Sequence, residues 1–259
     1  MEDYSRIVEK VERFLHQQSE LYGADIFFMG VNVSAVETVP GPSAQVPLVN
    51  PPQEGPSRDN PGAAADRAAQ LNQFYEAIKD CRKCALAQHR TNFVFGTGNP
   101  EATLMFIGEG PGREEDEQGI PFVGPAGKIL DRMISKLGFT REEVYIGNVV
   151  KCRPPQNRDP LEEEVQSCLP YLQKQIEIIQ PRYLFCLGRV AAAAILKTTQ
   201  SLSLLRGKIH DYQGIKVFVT YHPAALLRNR QLFWETFEDM KLFRSVYDKE
   251  IGDKPPLTE

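Results

Sequence analysis

The sequence predicts an α/β fold: a three-layer α/β/α sandwich with a central four-stranded parallel sheet, preceded by an N-terminal helical arm. Three observations carry this expectation. Four apolar runs of strand length, at residues 103–107, 144–146, 183–187 and 216–220, are separated by helical stretches. That alternation argues for parallel strands covered by helices on both faces. Glycine-rich or polar residues follow each run directly, where such sheets bind ligands. Between residues 40 and 61 lie seven prolines among Gly, Ser, Asn and Gln, which suits an extended linker between an arm and a body.

In chain order, residues 4–22 place Ile7, Val11, Phe14, Leu15 and Tyr22 near one face of an amphipathic helix. Residues 31–39 read as a short strand. The arm therefore covers residues 1–39, the linker 40–65, the body 66–250 and a tail 251–259. Within the body a helix over 68–79 leads directly into Cys81. Further helices are expected over 127–137, 161–179, 190–196 and 230–247.

A quarter of the residues are charged and the net charge is only −4. Any nucleic-acid contact would need a local basic face on a mildly acidic protein. No apolar run is long enough to span a bilayer, so no membrane partner is expected. The N-terminus, MEDYSRIVEK, lacks the apolar core of a secretory signal, and the expected compartment is the cytoplasm.

Four cysteines form the clearest motif. Cys81 and Cys84 are separated by two residues, and Cys152 and Cys168 lie far downstream. A reducing compartment disfavours disulfides. Soft thiolates suit an iron–sulfur cluster or zinc. Cys186 differs, because it sits inside an apolar run and reads as a core thiol.

The strand ends carry the remaining signals. The first strand runs into Gly108-Glu109-Gly110-Pro111-Gly112, followed by Glu114, Glu115 and Asp116. Arg113 stands where a dinucleotide-binding loop would need its third glycine, which argues against a nucleotide-dependent oxidoreductase. Asn148 ends the second strand, and its side-chain amide offers the acceptor and donors needed to read one edge of a pyrimidine. Phe122, between Pro121 and Gly124, suits a loop where a ring stacks on a flat ligand. His222 precedes Pro223 at the fourth strand end, a place for a poised hydrogen-bond donor.

GEGPG with its trailing acids, PFVGPAGKIL, NVVKCRPPQNR and HPAALLRN together resemble family 4 uracil-DNA glycosylases, the iron–sulfur branch of that superfamily. The resemblance spans about residues 81–247. It implies a 4Fe–4S cluster on Cys81, Cys84, Cys152 and Cys168, and removal of uracil from DNA after the nucleotide is flipped out. It further implies that His222 donates to the departing base, Asn148 reads its edge and Phe122 stacks on it. The loop at Gly108, Gly110 and Gly112 would bind uracil oxygens through its backbone. Glu109 ranks first to orient water, with Glu115 and Asp116 as the other carboxylates at the substrate. Leu226, Leu227, Arg228 and Asn229 would wedge and hold DNA, while Lys151, Arg153, Arg206 and Lys208 would reach phosphates. The implied partner is uracil-containing DNA, single- or double-stranded, bound by a monomer. The alternatives are a non-catalytic or crosslinking binder of damaged DNA and a zinc-stapled module.

Overall fold

The computed structural model describes residues 61–257; the expected arm helix, arm strand and most of the linker lie outside them. The first described helix, α1 (Pro61–Ile78), begins where the linker was expected to continue. A single 3-10 turn at Ala85–Gln88 follows the first cysteine pair. After it come β1 (Thr97–Gly98), β2 (Leu104–Gly108), α2 (Arg113–Gln118), α3 (Pro125–Lys136), β3 (Tyr145–Asn148) and α4 (Glu162–Ile179). The chain continues through β4 (Tyr183–Leu187), α5 (Arg189–Leu196), α6 (Leu202–Leu205), β5 (His210–Tyr212) and β6 (Ile215–Thr220), then α7 (Pro223–Arg228) and α8 (Leu232–Glu250).

The strands form one sheet in the order β1-β3-β2-β4-β6-β5. Its centre is the expected parallel set, with β2 beside β3 and β4, and β4 beside β6. Two short antiparallel strands enlarge the four-stranded expectation: β1 pairs β3, and β5 pairs β6. Each covers one edge of the parallel set.

Alternation along each central strand sends side chains to two separate cores. Met105, Ile107, Leu184, Cys186, Val217 and Val219 pack on one face with helices α1, α4 and α5. Leu104, Phe106, Tyr183, Phe185, Leu187 and Phe218 pack on the other, against α3 and α8. Both faces are apolar, so each strand reads as an unbroken hydrophobic run. Cys186 is fully buried in this sheet, in line with a core thiol. Residues after α8 fold back on the body. Arg244 donates to the carbonyls of Leu137 and Pro255, both at 2.8 Å, and Tyr247 donates to Asp253 at 2.7 Å.

Because β2, β3 and β6 run parallel, their carboxyl ends meet at one edge of the sheet. The chain segments leaving those ends are Gly108–Gly112, Asn148–Cys152 and Tyr221–Pro223, and they surround a common cavity.

Candidate active site

The cavity has a volume of about 310 Å³, and its walls include Glu109, Phe122, Asn148, Asp159, His222 and Arg228. Its floor is fixed by a continuation of the β2–β3 pairing: Val149 N–H donates to the Gly108 carbonyl and Val150 N–H to the Glu109 carbonyl, each at 3.0 Å. Gly108 must be glycine, because a Cβ there would run into Asn148 Oδ1 and the Phe122 ring. The close approach seats both functional side chains directly over the strand end.

Glu115 ties the two loops of the pocket together. One carboxylate oxygen accepts from Gly112 N–H at 3.0 Å, and the other accepts from Val123 N–H at 3.1 Å and Gly124 N–H at 3.0 Å. The glycine loop and the Phe122 loop therefore share one acceptor group. Phe122 is buried with φ of 55°, a left-handed backbone that costs a bulky residue about 1–3 kcal/mol. Strain of this kind persists where surrounding contacts over-determine the conformation, and here it aims a ring into the cavity. The Phe122 and His222 rings stand 5.5 Å apart at 32°.

His222 caps α7 and accepts a hydrogen bond at Nδ1 from Ala224 N–H, 3.2 Å away. That bond assigns the neutral-ring proton to Nε2. Burial, with help from the Arg228 charge, pulls the His222 pKa down to about 4. The ring is thus a neutral Nε2–H donor at neutral pH. Asn148 is 2% exposed, and its Oδ1 is a buried acceptor with no hydrogen-bond partner. Such an orphan costs about 1–3 kcal/mol unless a ligand donates to it. Glu109 has its pKa pushed up to about 7 by burial first and then by the nearby Asp159 carboxylate. Asp159 itself pairs with Arg189 at 2.9 Å. The set offers a stacking ring, a buried acceptor, a neutral donor and a carboxyl group poised near neutrality.

The structure moves several expected residues elsewhere. Asp116 is 3% exposed and accepts from the N–H groups of Thr91 and Asn92, so it anchors the segment after the cysteine pair and does not face substrate. Lys151 is fully buried and donates through Nζ to Gln175 at 2.6 Å, a position from which it reaches no phosphate. Arg206 is likewise internal. Its Nε donates to Asp239 at 2.7 Å, it pairs with Glu235, and its guanidinium lies 4.1 Å from the centre of the Tyr221 ring. Leu226 is fully buried and cannot wedge DNA, whereas Leu227 is 49% exposed. Arg153 is half-buried in an adjoining pocket that shares Gly112, Glu115 and Asn157 with the cavity, and it donates to Asn157 at 2.8 Å. Lys208 is exposed, and Arg228 lines the cavity.

The rim segment Asn157, Arg158 and Asp159 also lines the cavity; the sequence marks the loop between Cys152 and Cys168 as one to lie along DNA, without singling out these three residues. Its backbone is held by Arg158, which grips Glu164 with bonds of 2.8 and 2.7 Å, while Glu164 caps α4 by accepting from Leu161 N–H. The signal was available in the RPPQNRD run directly after Cys152.

Cys81, Cys84, Cys152 and Cys168 stand near enough that their charges influence one another. Among the described residues no group of three or more His, Cys, Asp or Glu could hold a single metal ion. A 4Fe–4S cluster makes a different demand, one thiolate for each iron at separate corners. Donors already point at the sulfurs: Arg90 to Cys152 at 3.2 Å, Tyr171 hydroxyl to Cys81 at 3.2 Å and Lys151 N–H to Cys168 at 3.3 Å. Burial pushes the Cys168 thiol up to about 12 and also raises Cys152. Thiols so disfavoured as free anions suit a site where metal supplies the compensating charge.

A family model described as the uracil DNA glycosylase superfamily matches residues 95–244. A type-4 uracil-DNA glycosylase of Archaeoglobus fulgidus is 46% identical over 179 residues, covering 66% of this chain and 90% of that protein. Its counterpart in Thermotoga maritima is 45% identical, covering 68% of this chain and 93% of that protein. A type-5 uracil-DNA glycosylase of Pyrobaculum aerophilum is 38% identical, covering 62% and 78% respectively.

Proposed function

The chain belongs to the uracil DNA glycosylase superfamily, within its type-4 group, and from that premise we propose that it flips uracil out of DNA and hydrolyses the N-glycosidic bond. The observation that carries the reading is the unpartnered Asn148 Oδ1 beside the locked Nε2–H donor of His222 and the Phe122 ring. Uracil carries an imide N–H for the acceptor, carbonyl oxygens for the donor and a flat face for the ring. Cytosine has no N–H at the imide position, so it would leave the buried acceptor unsatisfied.

Heterolysis sends the electron pair of the glycosidic bond onto the base and leaves an oxocarbenium-like sugar. Charge developing on a uracil oxygen is met by His222 Nε2–H. A neutral donor fits this task, because its hydrogen bond strengthens as the anion forms and no proton need move. Water then bonds to C1′ and gives its proton to Glu109, whose pKa near 7 suits a general base. Glu115 acts through the loops it joins, keeping the Phe122 ring and the glycine loop in register.

Cys81, Cys84, Cys152 and Cys168 would hold a 4Fe–4S cluster. When bound, the cluster supplies a covalent staple, since the hydrolysis transfers no electrons. It would join the end of α1 to the segment running from Cys152 to Asp159, which forms part of the cavity rim. Arg153, Leu227, Arg228 and Lys208 remain as DNA contacts, and the enzyme is read as a monomer. Among the described residues no helix is long and apolar enough to cross a membrane. The test is excision from matched uracil- and thymine-containing oligonucleotides, single- and double-stranded, read as alkali-labile sites. Cleavage only at uracil is expected; no uracil-dependent cleavage would end the proposal.

A further inference from the structure

Helix α8 opens with two exposed aromatic side chains. Trp234 is 70% exposed and Phe233 41% exposed, while the aromatic residues Phe106, Phe185, Phe218, Phe243 and Tyr247 lie in the core. Trp234 meets Phe237 at a tilt of 44°, with ring centres 6.3 Å apart, and Lys241 at 5.9 Å. Neither contact hides the outer face of the indole. Large apolar rings left this open on a soluble surface mark places where something docks.

The position relative to the cavity indicates what docks. Arg228 lines the cavity and ends α7, and only Asn229, Arg230 and Gln231 separate it from α8. Asn229 closes the connection, its side chain accepting from Gln231 N–H at 3.0 Å and its carbonyl from Leu232 N–H at 3.3 Å. Six residues span at most about 20 Å even when extended. That distance equals about six steps of a DNA strand at 3.4 Å each. Cations accompany the rings: Arg228 and Arg230 are exposed, and Lys241 approaches both Trp234 and Phe237 while pairing with Glu238 at 2.6 Å. Exposed aromatics interleaved with cations are how sequence-tolerant grooves hold unpaired nucleic acid.

We propose that Phe233 and Trp234 form a stacking platform for unpaired bases of the DNA strand whose uracil occupies the cavity. The inference rests on the uracil-excision reading, and commits the surface to single-stranded DNA. A paired duplex offers no base faces to such rings, so the platform would favour unpaired over paired substrate.

Trp234 is the one tryptophan of the 259-residue chain, so its fluorescence reports on this surface alone. The full-length protein is titrated with a uracil-free single strand, following Trp emission and, in parallel, the anisotropy of labelled DNA. Emission should quench in step with binding, and the quench should vanish with an abasic strand of equal length and charge. Trp234→Ala should weaken single-strand binding about five- to tenfold, the effect of losing one stacked base, with Trp234→Phe recovering most of it. Unchanged emission at saturating DNA would overturn the platform, as would a blue-shifted emission indifferent to DNA, which means that protein covers the ring. Failure to excise uracil would overturn the functional reading instead, and quenching by DNA would still decide the platform.

Discussion

If Glu109 is the base, pH should control the rate through two groups with well-separated values. Burial and Asp159 push Glu109 up to about 7 from its usual 4.5, and burial pulls His222 down to about 4 from its usual 6.5. Catalysis needs the Glu109 carboxylate and the neutral His222 ring. With a pKa near 7, one Glu109 in about eleven is ionised at pH 6, so kcat/KM should fall about tenfold from its alkaline plateau. Another tenfold should follow by about pH 5, and the slope should double below about pH 4, as His222 takes a proton. The assay is excision under kcat/KM conditions on a labelled uracil oligonucleotide between pH 4 and 9, with a stability control at each pH. DNA phosphates disfavour the carboxylate, so the break in kcat should lie above that in kcat/KM. Glu109→Gln should lower the rate and flatten the profile through neutrality. A flat wild-type profile between pH 6 and 8, or the same break in Glu109→Gln, would refute the assignment. Stability moves separately. The depressed His222 contributes stability that is present above its usual 6.5 and lost as pH falls towards about 4. The raised Glu109 contributes stability that is present below its usual 4.5 and lost as pH rises through about 7.

Replacing Cys152 by Ala should bleach the visible absorbance of the purified protein and lower its soluble yield; unchanged colour would strike Cys152 from the ligand set. Arg206→Ala should destabilise the fold by about 3–5 kcal/mol in urea melts, because it leaves the buried Asp239 unpaired. The same variant should leave the dependence of DNA affinity on salt unchanged, and a shallower slope would restore Arg206 as a phosphate contact. Asn148→Ala should remove the buried orphan acceptor, lowering excision by at least about tenfold while leaving thermal stability equal or higher; undiminished excision would show that Asn148 does not read the base.

The central strands were legible because each is buried on both faces and so is an uninterrupted apolar run. Residues 183–187 match β4 from end to end, and the run at 103–107 matches β2 within one residue. The edge strands carried no such signal. β1 is two residues, Thr97–Gly98, and β5 is His210–Tyr212, whose central residue Asp211 is exposed. Their pairing depends on the neighbouring strand rather than on their own hydrophobicity. Helix starts were displaced for a related reason. Gly124 caps α3 and Pro125 begins it, two residues before the start of the helix expected over 127–137, because caps are local backbone arrangements outside the apolar stripe.

At the site, legibility followed topology. Parallel strands bring their carboxyl ends to one edge, so Glu109, Asn148 and His222 could be grouped before any distance was known. Charge did not behave so simply. Glu114, Glu115 and Asp116 look alike in sequence, yet Glu115 bridges two pocket loops and Asp116 is buried beneath Thr91 and Asn92. Lys151 and Arg206 look like surface cations, but their partners Gln175 and Asp239 stand 24 and 33 residues further along. A long charged side chain is solvated or internal according to whether a distant partner meets it, and no local pattern records that meeting. These two cations therefore belong to the scaffold that fixes the strand ends. Arg206 holds Asp239, which also accepts from the Thr220 hydroxyl two residues before His222. Of the cations expected to reach DNA, only Arg228 lines the cavity and Arg153 stands in the adjoining pocket, while Arg158 joins the lining with its guanidinium already engaged by Glu164, so the proposed DNA contact there has fewer free charges than the sequence offered.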